Sequence, residues 1–280
     1  MKYHVLYNPI SGSGKADKAV DKLGEKFGGE NLVRVSVLDV ENYADFFSAI
    51  PEEDKVVLCG GDGTLNCFAN GVRGLELKNE VFYYACGGGN DFLRDVEGKD
   101  GELVLLNGYL QNLPTVTVNG KEYVFVNGVG FGIDGYCCEE GDKLRAKSNK
   151  PVDYTGIAIK GLLFCYKPTS ATITVDGQTH EFKNVWLAPT MFGRYYGGGM
   201  MPAPEQSREK DSVSVMAYYG SFKLKVLMIF PNIFKGTHVK STKNVTVLSG
   251  KEITVKFDQP RTLQIDGETI FNVTEYTVRR

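Results

Sequence analysis

Through residues 1–112, short apolar runs alternate with segments of helical spacing. The runs "VLYNP", "LVRVSVLD", "KVVLCGG" and "VFYYACGGG" predict strands. Between them, "KADKAVDKLGEKF" carries Ala16, Val20, Leu23 and Phe27 at helical spacing, and "YADFFSAI", "GTLNCFANGV" and a stretch near 101–111 also predict helices. Strands separated by helices imply βα units and a mostly parallel sheet. From about Leu113 the period changes. The segments "PTVTVNGKEYVFVNGVG", "SATITVDGQTHEFKNVWLAP", "DSVSVMAYYG", "KNVTVLSGKEITVKFDQPRTLQIDGETI" and "NVTEYTVRR" alternate as short strands, punctuated by Asn119-Gly120, Asp176-Gly177 and Asp266-Gly267. Helices are expected to interrupt them near 153–165 and 221–235. The pattern predicts an α/β domain over 1–112 and a β-rich domain with antiparallel strands over 113–280.

Composition narrows the classes. A chain of 280 residues with 42% apolar content has room for two cores, and a net charge of −2 gives no reason to expect nucleic acid. No N-terminal stretch resembles a signal peptide. No run reaches the roughly 18–20 apolar residues that cross a bilayer, and "FKLKVLMIFPNIF" is short and broken by Pro231. Six cysteines (Cys59, Cys67, Cys86, Cys137, Cys138, Cys165) show neither a C-x-x-C pair nor metal-ligand spacing and are expected as reduced, buried thiols. A soluble, cytoplasmic protein is expected.

Glycine-rich turns fall at the ends of three predicted strands, where open α/β sheets bind ligands. "NPISGSGK" (8–15) ends like a phosphate loop, but the strict pattern needs glycine where Pro9 stands and a hydroxyl where Ala16 stands. It remains a strand, a turn and a helix start, which can still hold an anion. "CGGDGTLN" (59–66) is more specific. Gly60 and Gly61 allow close backbone approach, Asp62 places a carboxylate at the strand end, and Gly63-Thr64 open a helix. A carboxylate beside phosphates makes chemical sense with magnesium or an ordered water between them. "CGGGNDFLRD" (86–95) repeats the logic one βα unit later, with Asn90 and Asp91.

In this order and spacing, "NPISG", "GGDGT" and "GGGNDFLR" resemble the diacylglycerol kinase catalytic domain, the family of soluble lipid kinases that includes sphingosine kinases. The likeness continues through "FVNGVGFGIDG" (125–135), "YGGGMMPAPEQSREKDSVSV" (196–215) and "QIDGET" (264–269), and so spans nearly the whole chain. It implies a three-layer α/β domain followed by an antiparallel β-sandwich, with ATP and a lipid meeting between them. It also implies ATP- and Mg2+-dependent phosphorylation of a lipid hydroxyl such as that of diacylglycerol. By this likeness Asn8, Ser11 and Gly12 lie near ATP, Gly60, Gly61, Asp62, Gly63 and Thr64 surround its phosphates and magnesium, and Asn90 and Asp91 complete the site.

Asp266 and Glu268 flank Gly267, and strand alternation would point both to one side. The resemblance makes Glu268 the general base, with Asp266 its orienting partner or a link to magnesium. A loop like "SREKDSV" holds a structural magnesium in some bacterial family members. The matching positions are Asp211 with the carbonyls of Arg208 and Val213, although Ser212 stands where the family usually has glycine. Gly88 replaces the family's hydroxyl residue, which would remove one hydrogen bond to ATP worth about 0.5–1.5 kcal/mol. The basic residues of 143–167 and the apolar "FKLKVLMIFPNIFK" are candidate contacts with an anionic membrane, transient and peripheral at its inner face. A homodimer is left open. The competing readings are an NAD kinase, which shares the Gly-Gly-Asp-Gly-Thr turn, and a catalytically silent lipid or nucleotide binder, which the presence of both terminal carboxylates disfavours.

Overall fold

A computed structural model describes residues 1–9, 15–147 and 152–280, apart from the side chains of Lys15 and Thr155. Two compact units divide between Leu113 and Pro114.

The first unit holds strands β1 (Tyr3–Tyr7), β2 (Leu32–Ser36), β3 (Lys55–Gly60), β4 (Val81–Ala85) and β5 (Val104–Leu105). Helices α1 (Lys15–Phe27), α2 (Tyr43–Ala49), α3 (Asp62–Gly71), α4 (Asp91–Asp95) and α5 (Asn107–Leu110) accompany them. The sheet order is β2-β1-β3-β4-β5. Its first four strands are parallel and β5 joins antiparallel at the edge. Alternation along the strands sorts their residues between two faces. Val5, Val57 and Cys59 pack against Ala19, Val20 and Leu23 of α1. On the other face His4 meets Phe46 of α2 edge-on at 6.3 Å, and Tyr83 meets Phe92 of α4 at 5.7 Å. Helices thus cover both faces, giving three layers. The stretch expected to be helical near 101–111 instead begins with β5. Asn107 is the cause: its amide oxygen accepts the Val81 N–H at 2.8 Å and its NH2 donates to Asn79 O at 2.9 Å, which pins the chain beside β4.

The second unit contains β6 (Thr115–Val118), β7 (Lys121–Val124), β8 (Gly128–Gly132), β9 (Thr169–Val175), β10 (Gln178–Val185), β11 (Leu187–Met191), β12 (Val213–Tyr218), β13 (Val245–Gly250), β14 (Glu252–Ile265) and β15 (Glu268–Arg279). All their pairings are antiparallel. Strand β14 changes partner along its length, pairing with β9 through residues 253–257 and with β8 through 263–265. Its register against β15 shifts between Lys256 and Arg261, around Pro260, which cannot donate to a ladder. That break lets the sheet fold over itself as a sandwich. Phe131 sits inside, 4.7 Å from the Phe257 ring and 5.3 Å from that of Tyr276. The three turn dipeptides read from the sequence are realised with positive φ at both residues: 49° and 74° at Asn119-Gly120, 47° and 82° at Asp176-Gly177, 47° and 96° at Asp266-Gly267. This is the twist-compatible hairpin turn.

Helices α6 (Ile133–Arg145), α7 (Tyr154–Lys160) and α8 (Lys223–Ile229), with a wide π-type turn at Gly161–Cys165 and a 3-10 turn at Phe230–Lys235, complete this unit. Ile133, Leu162, Trp186, Tyr218, Val226 and Ile233 share one of its cores. Helix α6 is absent from the sequence expectation because Gly135 and Gly141 are ordinary loop signals. Here they serve close packing instead. A Cβ on Gly135 would collide with the Thr262 carbonyl oxygen of β14, and one on Gly141 would lie 2.7 Å from the Tyr154 ring.

All six cysteines are free thiols. Cys59 and Cys137 are buried as expected, whereas Cys67 and Cys165 are exposed, which corrects that part of the expectation. Among the described residues no helix is long and apolar enough to cross a membrane.

Gly135→Ala should lower stability by about 1–3 kcal/mol, since the obstacle is backbone. An unchanged urea midpoint with an unchanged slope would contradict the packing role assigned to this glycine.

Candidate active site

Strands β3 and β4 are parallel neighbours, so their carboxyl ends, and the two glycine turns, lie side by side. The Cys86 N–H donates to Gly60 O at 2.9 Å. Beyond that bond the loops touch through bare backbone, since a Cβ on Gly87 would stand 2.6 Å from the Gly61 Cα. Asp62 then ties them together. One of its carboxylate oxygens accepts the Asp91 N–H at 3.0 Å and the other the Phe92 N–H at 2.9 Å. Asp62 therefore caps α4 from a different βα unit and offsets its positive end. The N-cap residue of α3 is Gly61, which has no side chain to cap it, and the first turn is built from Asp62, Gly63 and Thr64. Asn90 adopts a left-handed backbone at φ 50°, with its side-chain oxygen buried over Gly87 and no hydrogen-bond partner among the described residues. Asp91 is buried. Asn8 directly follows β1, the strand on the other side of β3, and Ser11 and Gly12 lie outside the described residues.

Two features beneath these loops escape sequence reasoning. Cys59 and Cys86 each stand immediately before a glycine turn, with sulfurs 3.6 Å apart. Their mutual hydrogen bond, and then burial, push the Cys59 thiol far up, so it stays protonated. The Tyr83 hydroxyl is buried with no hydrogen-bond partner among the described residues, and burial followed by the carboxylate of Asp62 raises its pKa. Only the position of each cysteine, one residue before a motif, could have drawn attention to the pair.

In the second unit the Asp266-Gly267 turn departs from the strand alternation expected for this stretch. Asp266 sits in the turn itself, and its carboxylate folds back onto the N–H groups of Val126, Asn127 and Gly128, at 2.5, 2.8 and 2.8 Å. Its own N–H donates to Gly128 O at 3.0 Å. Glu268, the first residue of β15, is exposed. Gln264 supports this corner from inside: its side-chain oxygen accepts the Gly267 N–H at 2.8 Å. That bond fixes the amide orientation and turns Nε2 toward Asp134 at the start of α6. Neither Gln264 Nε2 nor Asp134 Oδ2 has a hydrogen-bond partner among the described residues. Burial raises the Asp134 carboxyl to about 6, against the bond that it accepts from the Gly135 N–H at 2.8 Å. Asp134 and Gln264 lie inside the motifs "FGIDG" and "QIDGET", yet nothing in the sequence distinguishes them from ordinary strand and turn residues.

Asp211 is exposed and forms an ion pair with Lys251. The Arg208 guanidinium donates to Val126 O at 2.6 Å and to Asn127 Oδ1 at 2.8 Å, bracing the same segment that Asp266 holds. Val213 begins β12 opposite Gly250. Among the described residues no group of three or more His, Cys, Asp or Glu side chains could hold a metal. A cavity of about 520 Å³ in this unit is lined by Tyr136, Glu139, Tyr166, Lys167, Arg261 and Phe271, among others. The Arg261 guanidinium lies 5.3 Å from the Tyr166 ring centre, and Glu139 accepts the Thr262 hydroxyl at 2.5 Å.

The diacylglycerol kinase catalytic domain matches residues 2–114, and the YegS C-terminal NAD kinase beta sandwich-like domain matches residues 127–277, more than half of the chain. A diacylglycerol kinase of Mycobacterium tuberculosis strain H37Rv is 24% identical over 253 residues, covering 85% of this chain and 80% of its own. A diacylglycerol kinase of Bacillus subtilis strain 168 is 23% identical over 276 residues, covering 94% and 88%. The crystal structure of a diacylglycerol kinase from Bacillus anthracis superposes with a TM-score of 0.60 at 17% identity, covering 100% of this chain and 94% of that one, a likeness of fold. The chain belongs to the diacylglycerol kinase catalytic-domain family. It is a lipid kinase of the diacylglycerol kinase type, and its acceptor is a lipid.

Because Asp134 is raised above its unfolded value near 3.9, its stabilising contribution is complete below about pH 4 and lost as pH rises through about 6. Asp134→Asn should therefore gain on the wild type by about 3 kcal/mol between pH 4 and pH 8. Parallel stability profiles of the two proteins over that range would show that Asp134 is not a buried acid.

Proposed function

We propose that the chain transfers the γ-phosphoryl group of MgATP to the hydroxyl of diacylglycerol or a related lipid alcohol, with Glu268 as general base. The observation that carries the base assignment is the Asp266 turn. Three backbone N–H bonds occupy the Asp266 carboxylate and fix the corner, and Glu268 beside it is the exposed acid. In this reading Asp266 orients the corner and Glu268 receives the hydroxyl proton as oxygen attacks phosphorus. A lipid hydroxyl is a weak nucleophile and the transferring group carries its own charge, so positioning supplies most of the acceleration.

The triphosphate is assigned to the loops of the first unit. The N-cap residue of α3 is Gly61, which offers no side chain, and Gly60, Gly61, Gly63 and Thr64 bring backbone to the ligand at its N-terminus. Asp62 holds that loop against the one carrying Asn90 and Asp91, and a carboxylate at this strand end suits a water or the Mg2+ that arrives with ATP. Asn8, Ser11 and Gly12 are assigned to the same nucleotide. A structural Mg2+ at Asp211 with the carbonyls of Arg208 and Val213 is a separate proposal. One carboxylate and two carbonyls suit a hard cation, but Lys251 now pairs with that carboxylate and would have to yield. Transient contact with a membrane surface supplies the lipid.

Labelled ATP offered with diacylglycerol, phosphatidylglycerol, sphingoid bases, undecaprenol and NAD tests the acceptor. NAD is included because the second family description names an NAD kinase-like sandwich. Label entering NAD alone would overturn the lipid assignment. Glu268→Gln should fold and bind ATP while turnover falls by several hundredfold or more, within the roughly 10²–10⁴ range of general-base catalysis; near-normal turnover would remove Glu268 from the mechanism. Protein equilibrated with excess Mg2+ and then gel-filtered should retain about one ion per chain, lost in Asp211→Ala. An empty wild type would contradict the structural site.

A further inference from the structure

Helix α8 and the 3-10 turn after it are apolar on more than the side they bury. Val226, Ile229, Phe230 and Ile233, at helical spacing, go into the core. Phe222, Leu224, Met228 and Phe234 are exposed, at 65%, 62%, 62% and 41%. The π-type turn after α7 adds Phe164, exposed at 76%. Lys223 Nζ donates to Leu163 O at 2.7 Å, which fastens that turn to the start of α8 and joins the two apolar segments. Side chains of this size, clustered in water, mark a surface with a partner.

Charge identifies the partner. Residues 212–250 carry five lysines and no Asp or Glu, and 154–175 adds Lys160 and Lys167, again without a carboxylate. Lys160, Lys167, Lys223, Lys235 and Lys240 are exposed. The earlier part of the basic stretch is different. Lys143 is paired with Glu139 and Glu140, and Arg145 with Asp142, so the sequence-level count over 143–167 overstates the charge there. Lys150 lies outside the described residues. Exposed aromatic and aliphatic side chains set among lysines are the pattern of a helix lying in the interface of an anionic bilayer, where apolar groups enter the acyl boundary and ammonium groups meet lipid phosphates.

We propose that α8, the following 3-10 turn and the 161–165 turn form one membrane-docking face, which inserts Phe164, Phe222, Leu224 and Met228 into an anionic lipid surface. The proposal gives a location to the transient membrane contact assigned above and rests on the lipid-kinase assignment. The cavity lined by Cys165, Tyr166 and Lys167 begins one residue beyond Phe164, so the docked turn and that cavity wall are one continuous piece of chain.

Sedimentation with sucrose-loaded vesicles tests it without reference to turnover. Wild-type protein should pellet with phosphatidylcholine vesicles containing about 30% phosphatidylglycerol and bind pure phosphatidylcholine far more weakly. Leu224→Ser with Met228→Ser should cut binding by about tenfold or more. Lys235→Ala and Lys240→Ala should each cut it about fivefold at low salt, an effect that salt erases. These positions are exposed, and unchanged thermal unfolding with unchanged ATP binding confirms that the variants fold. Wild-type protein that ignores anionic vesicles, or a double variant that binds as well as wild type, overturns the proposal. So does a stable wild-type dimer that Leu224→Ser with Met228→Ser turns into monomer, because the face would then belong to a second copy. Loss of vesicle binding with kinase activity retained on detergent-dispersed lipid supports the docking face. Activity absent under both conditions in wild type, with vesicle binding intact, would count against the proposed reaction and leave the surface standing.

Discussion

The carboxylate of Asp266 gathers the N–H groups of Val126, Asn127 and Gly128 from a segment about 140 residues earlier in the chain. Buried or half-buried N–H groups in a turn need acceptors, and an ionised carboxylate is the strongest one a side chain offers. Arg208 braces the same segment by binding Val126 O and the Asn127 side chain. The start of β8 and the turn between β14 and β15 are thereby locked together. Asp62 performs the equivalent task in the first unit, where its two oxygens hold the amino end of α4 against the start of α3. In each unit an aspartate from a glycine-containing motif organises backbone.

The support behind the Asp266 turn extends inward. Gln264 holds the Gly267 N–H and directs its amide toward Asp134, a carboxyl buried deeply enough to titrate near 6. Burying an ionisable group without full hydrogen bonding is costly. A fold retains such a group most readily where it fixes a conformation that apolar packing would leave loose. Here that conformation is the hairpin end bearing Glu268. The glycines of α6 belong to the same construction, because the absence of a side chain at Gly135 lets the helix lie on Thr262 of β14, two residues before Gln264.

Helix α8 meets two demands. Its inner residues seal a core that includes Trp186, whose indole N–H donates to Ser221 O at 3.0 Å. Its outer residues remain apolar although water surrounds them, and the flanking lysines keep that surface from being a simple aggregation site. A lipid kinase must visit its acceptor where the acceptor resides, and the proposed docking face would combine insertion and charge to that end.

Periodicity by itself determined most of the architecture: parallel βα units before residue 113, antiparallel hairpins after it, and the three two-residue turns whose Asn-Gly and Asp-Gly pairs adopt positive φ. The glycine-rich motifs at 60–63 and 87–89 also marked the strand ends where those loops lie, because turn chemistry and helix starts are local properties that neighbouring residues fix. What Asp62 and Asp266 do with their carboxylates was not legible, since their partners are backbone groups reached through the sheet register rather than along the chain. Helix α6 was hidden for a related reason: a glycine that breaks a helix in isolation is tolerated where a neighbouring strand needs the space. The Cys59–Cys86 contact and the approach of Gln264 to Asp134 likewise exist only once separate elements pack together. Local sequence chose the elements and their ends, and long-range packing decided which polar atoms were left to meet a ligand.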